Sequence, residues 1–98
     1  MVVRVVRMEF KPELAHQFRE VFNTYKQRIR YQPGCIHLDL MRDPEHAHIY
    51  YTHSHWLSPD YLEQYRHSAL FREVWPQTKA LFAAPAQAWS LTPTETVN

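Results

Sequence analysis

The sequence predicts an α+β domain of the ferredoxin-like class, with the order β-α-β-β-α-β forming a four-stranded antiparallel sheet and helices on one face. Three observations predict it. The chain opens on a β-branched run that is apolar on both faces of a strand. An amphipathic helical stripe follows at once, and two strand-like stretches separated by an acidic turn lie mid-chain.

Val2, Val3, Val5, Val6, Met8 and Phe10 make the first strand. Apolar side chains at both parities place it inside a sheet covered on both faces. Lys11 and Pro12 end it, and proline suits the first turn of a helix, where its missing N–H has no partner to lose. From Glu13 onward, Leu14, Phe18, Val21, Phe22, Tyr25 and Ile29 recur at spacings of three and four, giving an amphipathic helix of about four turns. Pro33-Gly34 breaks the chain. Cys35 to Arg42 reads as the second strand, with Ile36, Leu38 and Leu40 on one face.

Asp43-Pro44-Glu45 is a turn, and the Tyr-, Thr- and Ile-rich stretch from His48 to Trp56 is the third strand, paired with the second as a hairpin. Ser58-Pro59-Asp60 has the form of an N-cap, a first-position proline and an acidic first turn. Tyr61, Leu62 and Tyr65 give that helix an apolar side, and a second helical stretch carries Phe71, Val74, Trp75, Thr78, Leu81 and Phe82 on one stripe. Ala86 to Leu91 forms the fourth strand. Residues 1–91 are therefore expected to be one domain and residues 92–98 a flexible tail.

Composition bounds the function classes. The 98 residues leave no room for a second core, and 14% aromatics in so small a chain call for a covering partner. Apolar residues on both faces of the first strand make a homodimer through the sheet face the expected partner arrangement. Eleven Lys and Arg against ten Asp and Glu leave a net charge of +1 with the signs interspersed, which offers no footprint for nucleic acid or a membrane surface. The N-terminal run is interrupted by Arg4, Arg7 and Glu9. It is neither a signal peptide nor a spanning segment, so the mature chain is expected to begin here, and a lone cysteine, Cys35, points to the cytoplasm.

The chemistry-bearing residues each have a structural reading as well. His53 and His55 share a strand face at metal-ligand spacing, but no third ligand is spaced to join them, and no metal is expected. Asp39 reads as an ion-pair partner of Arg4 or Arg7 on a neighbouring strand, and Cys35 as an inert buried thiol. Arg72 reads equally as a solvated helix arginine, Trp56 as a core aromatic, and Tyr65 as a buried aromatic with a structural hydrogen bond.

Phe10-Lys11-Pro12-Glu13, Pro33-Gly34-Cys35, Trp56-Leu57-Ser58 and Ser68-Ala69-Leu70-Phe71, in this order and spacing, resemble the antibiotic biosynthesis monooxygenase family over residues 1–91. The resemblance implies a dimeric α/β barrel with a pocket between sheet and helices. It also implies cofactor-independent oxygenation of a small aromatic, polyketide-like or quinol-like substrate. Trp56 and Arg72 fall on the tryptophan and arginine of the polyketide-oxidising branch and are the implied catalytic residues. Strand alternation then puts Tyr50, Thr52 and Ser54 beside Trp56 on the pocket face, and with Tyr65 and Trp75 these are the expected substrate-binding residues. Thr52 and Leu62 depart from that branch's asparagine and tyrosine. Ser54, Tyr65 and Leu70 depart from the quinol-oxidising pattern, and Val6 and Trp75 occupy the haem branch's asparagine and histidine places, so haem is not expected. Two other functions are compatible with this fold: a non-catalytic small-ligand-binding dimer, and a sugar-phosphate isomerase using Arg66 and Arg72 as its phosphate site.

Overall fold

The computed structural model describes all 98 residues. Its elements are β1 (Val2–Glu9), a 3-10 turn (Pro12–Leu14), α1 (Ala15–Arg30), β2 (Cys35–Arg42), β3 (Ile49–Trp56), α2 (Pro59–Arg66), α3 (Ala69–Lys79) and β4 (Gln87–Leu91). The sheet is antiparallel throughout in the order β2-β3-β1-β4, so β1 lies inside it as its two-sided apolar pattern requires. This is the ferredoxin-like α+β fold. None of its helices is long and apolar enough to cross a membrane.

The register sorts every strand residue to a face. Val2, Arg4, Val6 and Met8 of β1 stand opposite Trp56, Ser54, Thr52 and Tyr50 of β3, and all eight share the inner face, under the helices. Val3, Val5, Arg7 and Glu9 pair with His55, His53, Tyr51 and Ile49 on the outer face. The Pro12 turn is tighter than the helix expected there, and α1 proper starts at Ala15. Ser68 Oγ accepts from the Phe71 N–H at 3.1 Å, which stops α2 and starts α3 as separate rods.

Two strand expectations need correction. Cys35 pairs with Trp56 but His37 pairs with His55, so Ile36 is the extra residue of a bulge. Ile36 is therefore exposed instead of sharing a face with Leu38 and Leu40, and Cys35 turns inward while His37 turns outward. In addition, Asp39 has no arginine partner. Arg4 faces the helices and Arg7 pairs with Glu9 at 3.5 Å, whereas the Asp39 carboxylate sits 2.7 Å from His37 Nε2.

Gly34 joins α1 to β2 with φ +81°, a left-handed backbone that side chains resist. Its bare Cα also lets the Tyr61 ring lie against it, where an added Cβ would overlap that ring. The Leu57 N–H donates to the Gly34 carbonyl at 2.8 Å and ties this turn to the end of β3. The core consists of Val2, Cys35, Trp56 and Leu62 at one end of the sheet, and Met8, Phe10, Phe18 and Tyr50 at the other. Ile29, Leu70 and Val74 fill the space between α1 and α3.

Candidate functional site

Trp56 ends β3 on the inner face and is 1% exposed. Its indole stacks on the Tyr65 ring of α2 at 5.1 Å between centroids, and its Nε1–H donates to Ser54 Oγ at 3.0 Å. Buried indole and hydroxyl groups need such partners, and here each satisfies the other. The aromatic packing continues without a break. Tyr65 meets Phe71 edge-on at 5.3 Å, Phe71 stacks on Trp75 at 5.6 Å, and Trp75 meets Phe82 at 5.6 Å. Phe82 then reaches the Phe10, Phe18 and Tyr50 group. The layer between sheet and helices is thus a continuous run of aromatic rings packed on one another.

The structure brings Trp56, Ser54 and Tyr65 together and links Trp75 to them through Phe71. Tyr50 lies at the far end of β3 and is buried against Phe10 and Phe18, with Thr52 half-buried between the two ends. Tyr50 also lines a cleft of about 300 Å³ with Arg19, Lys26 and Arg42. A broader groove of about 510 Å³ runs along α1 past Tyr25, Gln77 and Leu81. Both openings lie away from Trp56 and Tyr65. Arg72 is exposed on α3 and makes no ion pair, and Arg66 is held by Glu63 at 2.7 Å.

Sequence reading missed the cation that the register brings to this end. Arg4 stands on the inner face directly across from Ser54, and its Nη1 donates to Ser90 Oγ of β4 at 2.9 Å. Burial, joined by the Arg66 guanidinium and opposed by Glu63, lowers the Arg4 pKa from its ordinary value. A guanidinium nevertheless stays charged at any physiological pH. A charged residue that has lost part of its water and has no carboxylate in hydrogen-bond contact favours the arrival of an anion. One signal was available beforehand: Arg4 has the parity of Val2, Val6 and Met8 in a strand read as interior.

Tyr65 supplies the second polar group. Its hydroxyl makes no hydrogen bond within the chain, and burial first, with the Cys35 thiol second, pushes its ionisation well above the ordinary phenol value. Tyr65 therefore stays protonated and can donate, but it cannot serve as a base near neutral pH. Cys35 is likewise held as a thiol by burial, which outweighs its backbone contact at His37 and the nearby Arg30. The arrangement offers a desolvated cation, a neutral phenol donor and stacked aromatic walls.

On the outer face, the β2–β3 register, which spacing along the chain leaves open, decides what stands beside His53 and His55. His37 stands directly across from His55, and Asp39 directly across from His53.

Residues 1–76 match the antibiotic biosynthesis monooxygenase family. No curated protein matches the chain by sequence. Solved structures match its fold closely. One described as an antibiotic biosynthesis monooxygenase superposes with a TM-score of 0.90 at 16% identity, over 97% of this chain and 100% of that one. A conserved protein from Methanosarcina mazei Go1 gives 0.89 at 20% identity over 96% and 94% of the two chains. A protein from Mycobacterium tuberculosis gives 0.89 at 18% identity over 99% and 98%.

Proposed function

The chain belongs to the antibiotic biosynthesis monooxygenase family, and on that premise we propose that it is a cofactor-independent monooxygenase of a small aromatic, polyketide-like or quinol-like substrate. Ground-state oxygen reacts slowly with closed-shell organic molecules unless they are electron-rich anions. The protein's task is then to bind a phenol or enol, favour its ionised form and exclude water. For an anthrone-like substrate the balance is one CH₂ and one O₂ giving one carbonyl and one water.

The observation that carries this reading is the half-buried Arg4, facing inward beside Ser54 at the end of the sheet where Trp56 stacks on Tyr65. Arg4 takes the charge-stabilising role that the family resemblance implies for Arg72. Tyr65 donates to the substrate oxygen, and Trp56, its N–H already committed to Ser54, acts as a stacking wall, with Trp75 farther along the same layer. The single thiol accords with a cytoplasmic enzyme.

Oxygen uptake by EDTA-treated protein with anthrone and with hydroquinone tests the reading. We expect uptake above buffer, a fall of about 100-fold in Arg4→Met and about 10-fold in Tyr65→Phe, and near-wild-type uptake in Arg72→Ala. No uptake with either compound, or full uptake in Arg4→Met, would contradict it. Ligand-induced stabilisation without uptake would assign the non-catalytic binding role instead.

Two copies of the chain are proposed to pair through the outer sheet face. Val3 and Val5 lie there, flanked on the edge strand β4 by Trp89 at 44% and Leu91 at 54% exposure, an apolar surface over the β1–β4 side of the sheet that a lone chain leaves wet.

A further inference from the structure

The outer face of the β2–β3 hairpin carries a cluster that the oxygenase reading does not use. His37 and His55 are a cross-strand pair, and Asp39 and His53 are the next pair on the same face, so the four side chains form a two-by-two grid. The imidazole centroids are 4.8 Å apart for His37–His55 and for His53–His55, and 5.8 Å for His37–His53. One ligand nitrogen from each histidine lies within 4.8 Å of the others. The Asp39 carboxylate is 2.7 Å from His37 Nε2 and 3.9 Å from His53 Nδ1.

Two further observations point to an occupant. His55 Nε2 is buried and has no hydrogen-bond partner, a rare condition for a polar atom. The bulge at Ile36 supplies the other. Without it, His37 would share the inward parity of Cys35, and with it His37 turns outward onto the grid. Bulges commonly re-aim a side chain next to a site.

We propose that His37, His53, His55 and Asp39 bind one divalent transition ion of the zinc class, as a closed structural clamp between β2 and β3. Zinc–imidazole bonds of about 2.0–2.1 Å put the ligand atoms of a tetrahedral site roughly 3.3 Å apart. Reaching that spacing from the present 4.8 Å needs rotation of the His37 and His53 side chains, which are 44% and 30% exposed on the single chain. Three imidazoles and one carboxylate fill four positions, so the ion clamps the hairpin on the face opposite Trp56 and Tyr65.

The test is titration of EDTA-stripped, dialysed protein with Co²⁺, followed by Zn²⁺. We expect one Co²⁺ per chain with the intense visible absorption of four-coordinate cobalt, displaced by Zn²⁺, and a melting temperature raised by Zn²⁺. His37→Ala and His53→Ala should lose stoichiometric binding, and Asp39→Asn should weaken it about 10-fold or more. His16→Ala and His67→Ala, on exposed helix surfaces, should bind as wild type. Because His37 and His53 are partly exposed, their variants decide the matter even if a His55 variant fails to fold. Less than one ion per chain, a pale six-coordinate spectrum, or undiminished binding in the His37→Ala, His53→Ala double variant would overturn the proposal.

Discussion

Arg4 and His55 show how a residue's meaning depends on what stands across the sheet from it. Arg4 interrupts an apolar run, and the role proposed for it depends on Ser54 and Ser90 as strand neighbours and on α2 above it, none of which sequence spacing reveals. Trp56 was legible as an inward aromatic. That its N–H is occupied by Ser54 follows from a side-chain rotamer and was not legible. His55 carries a pH consequence. Its folded pKa lies below the unfolded 6.5, so as pH falls below 6.5 the unfolded chain gains a proton that the folded chain resists, and stability drops. Asp39, held down chiefly by the His37 hydrogen bond, and Asp43, held down chiefly by the Glu45 N–H, add stability above 3.8 that is lost as pH falls further. In metal-free protein the melting temperature should therefore decline from about pH 7 to pH 5. His55→Gln should flatten that decline, and an unchanged slope in the variant would remove His55 as its source.

At the scale of elements, the strands and helices were legible because their apolar periods are clean. Leu14, Phe18, Val21, Phe22, Tyr25 and Ile29 can form only one helical stripe, and β1's two-sided valines suit only an interior strand. The departures arise where one residue changes parity. The Ile36 bulge is invisible to a period-two reading, yet it decides that Cys35 packs under α2 while His37 joins the outer histidines. Gly34 sets up that hairpin entry. Gly34→Ala would force a Cβ into a left-handed backbone and into the Tyr61 ring, costing about 2 kcal/mol or more. The expected fall in melting temperature is on the order of 10 °C. A loss of only a degree or two would mean that Tyr61 yields without cost.

For the whole molecule, the two faces of one sheet carry different sets of side chains. The inner face holds the aromatic layer and Arg4, and the outer face holds the histidine grid and the apolar surface proposed to pair with a second copy. Trp89→Asp would place a charge within that apolar surface and should convert a wild-type dimer to a monomer in sedimentation velocity. A monomeric wild type would contradict the pairing. The most direct test of the central claim, that Arg4 stabilises a bound phenolate, is a spectroscopic titration of 4-nitrophenol bound to the protein. The expected result is a bound pKa about one unit or more below the free value in wild type, reverting in Arg4→Met. A bound pKa equal to or above the free value, or a lowering retained in Arg4→Met, would contradict it.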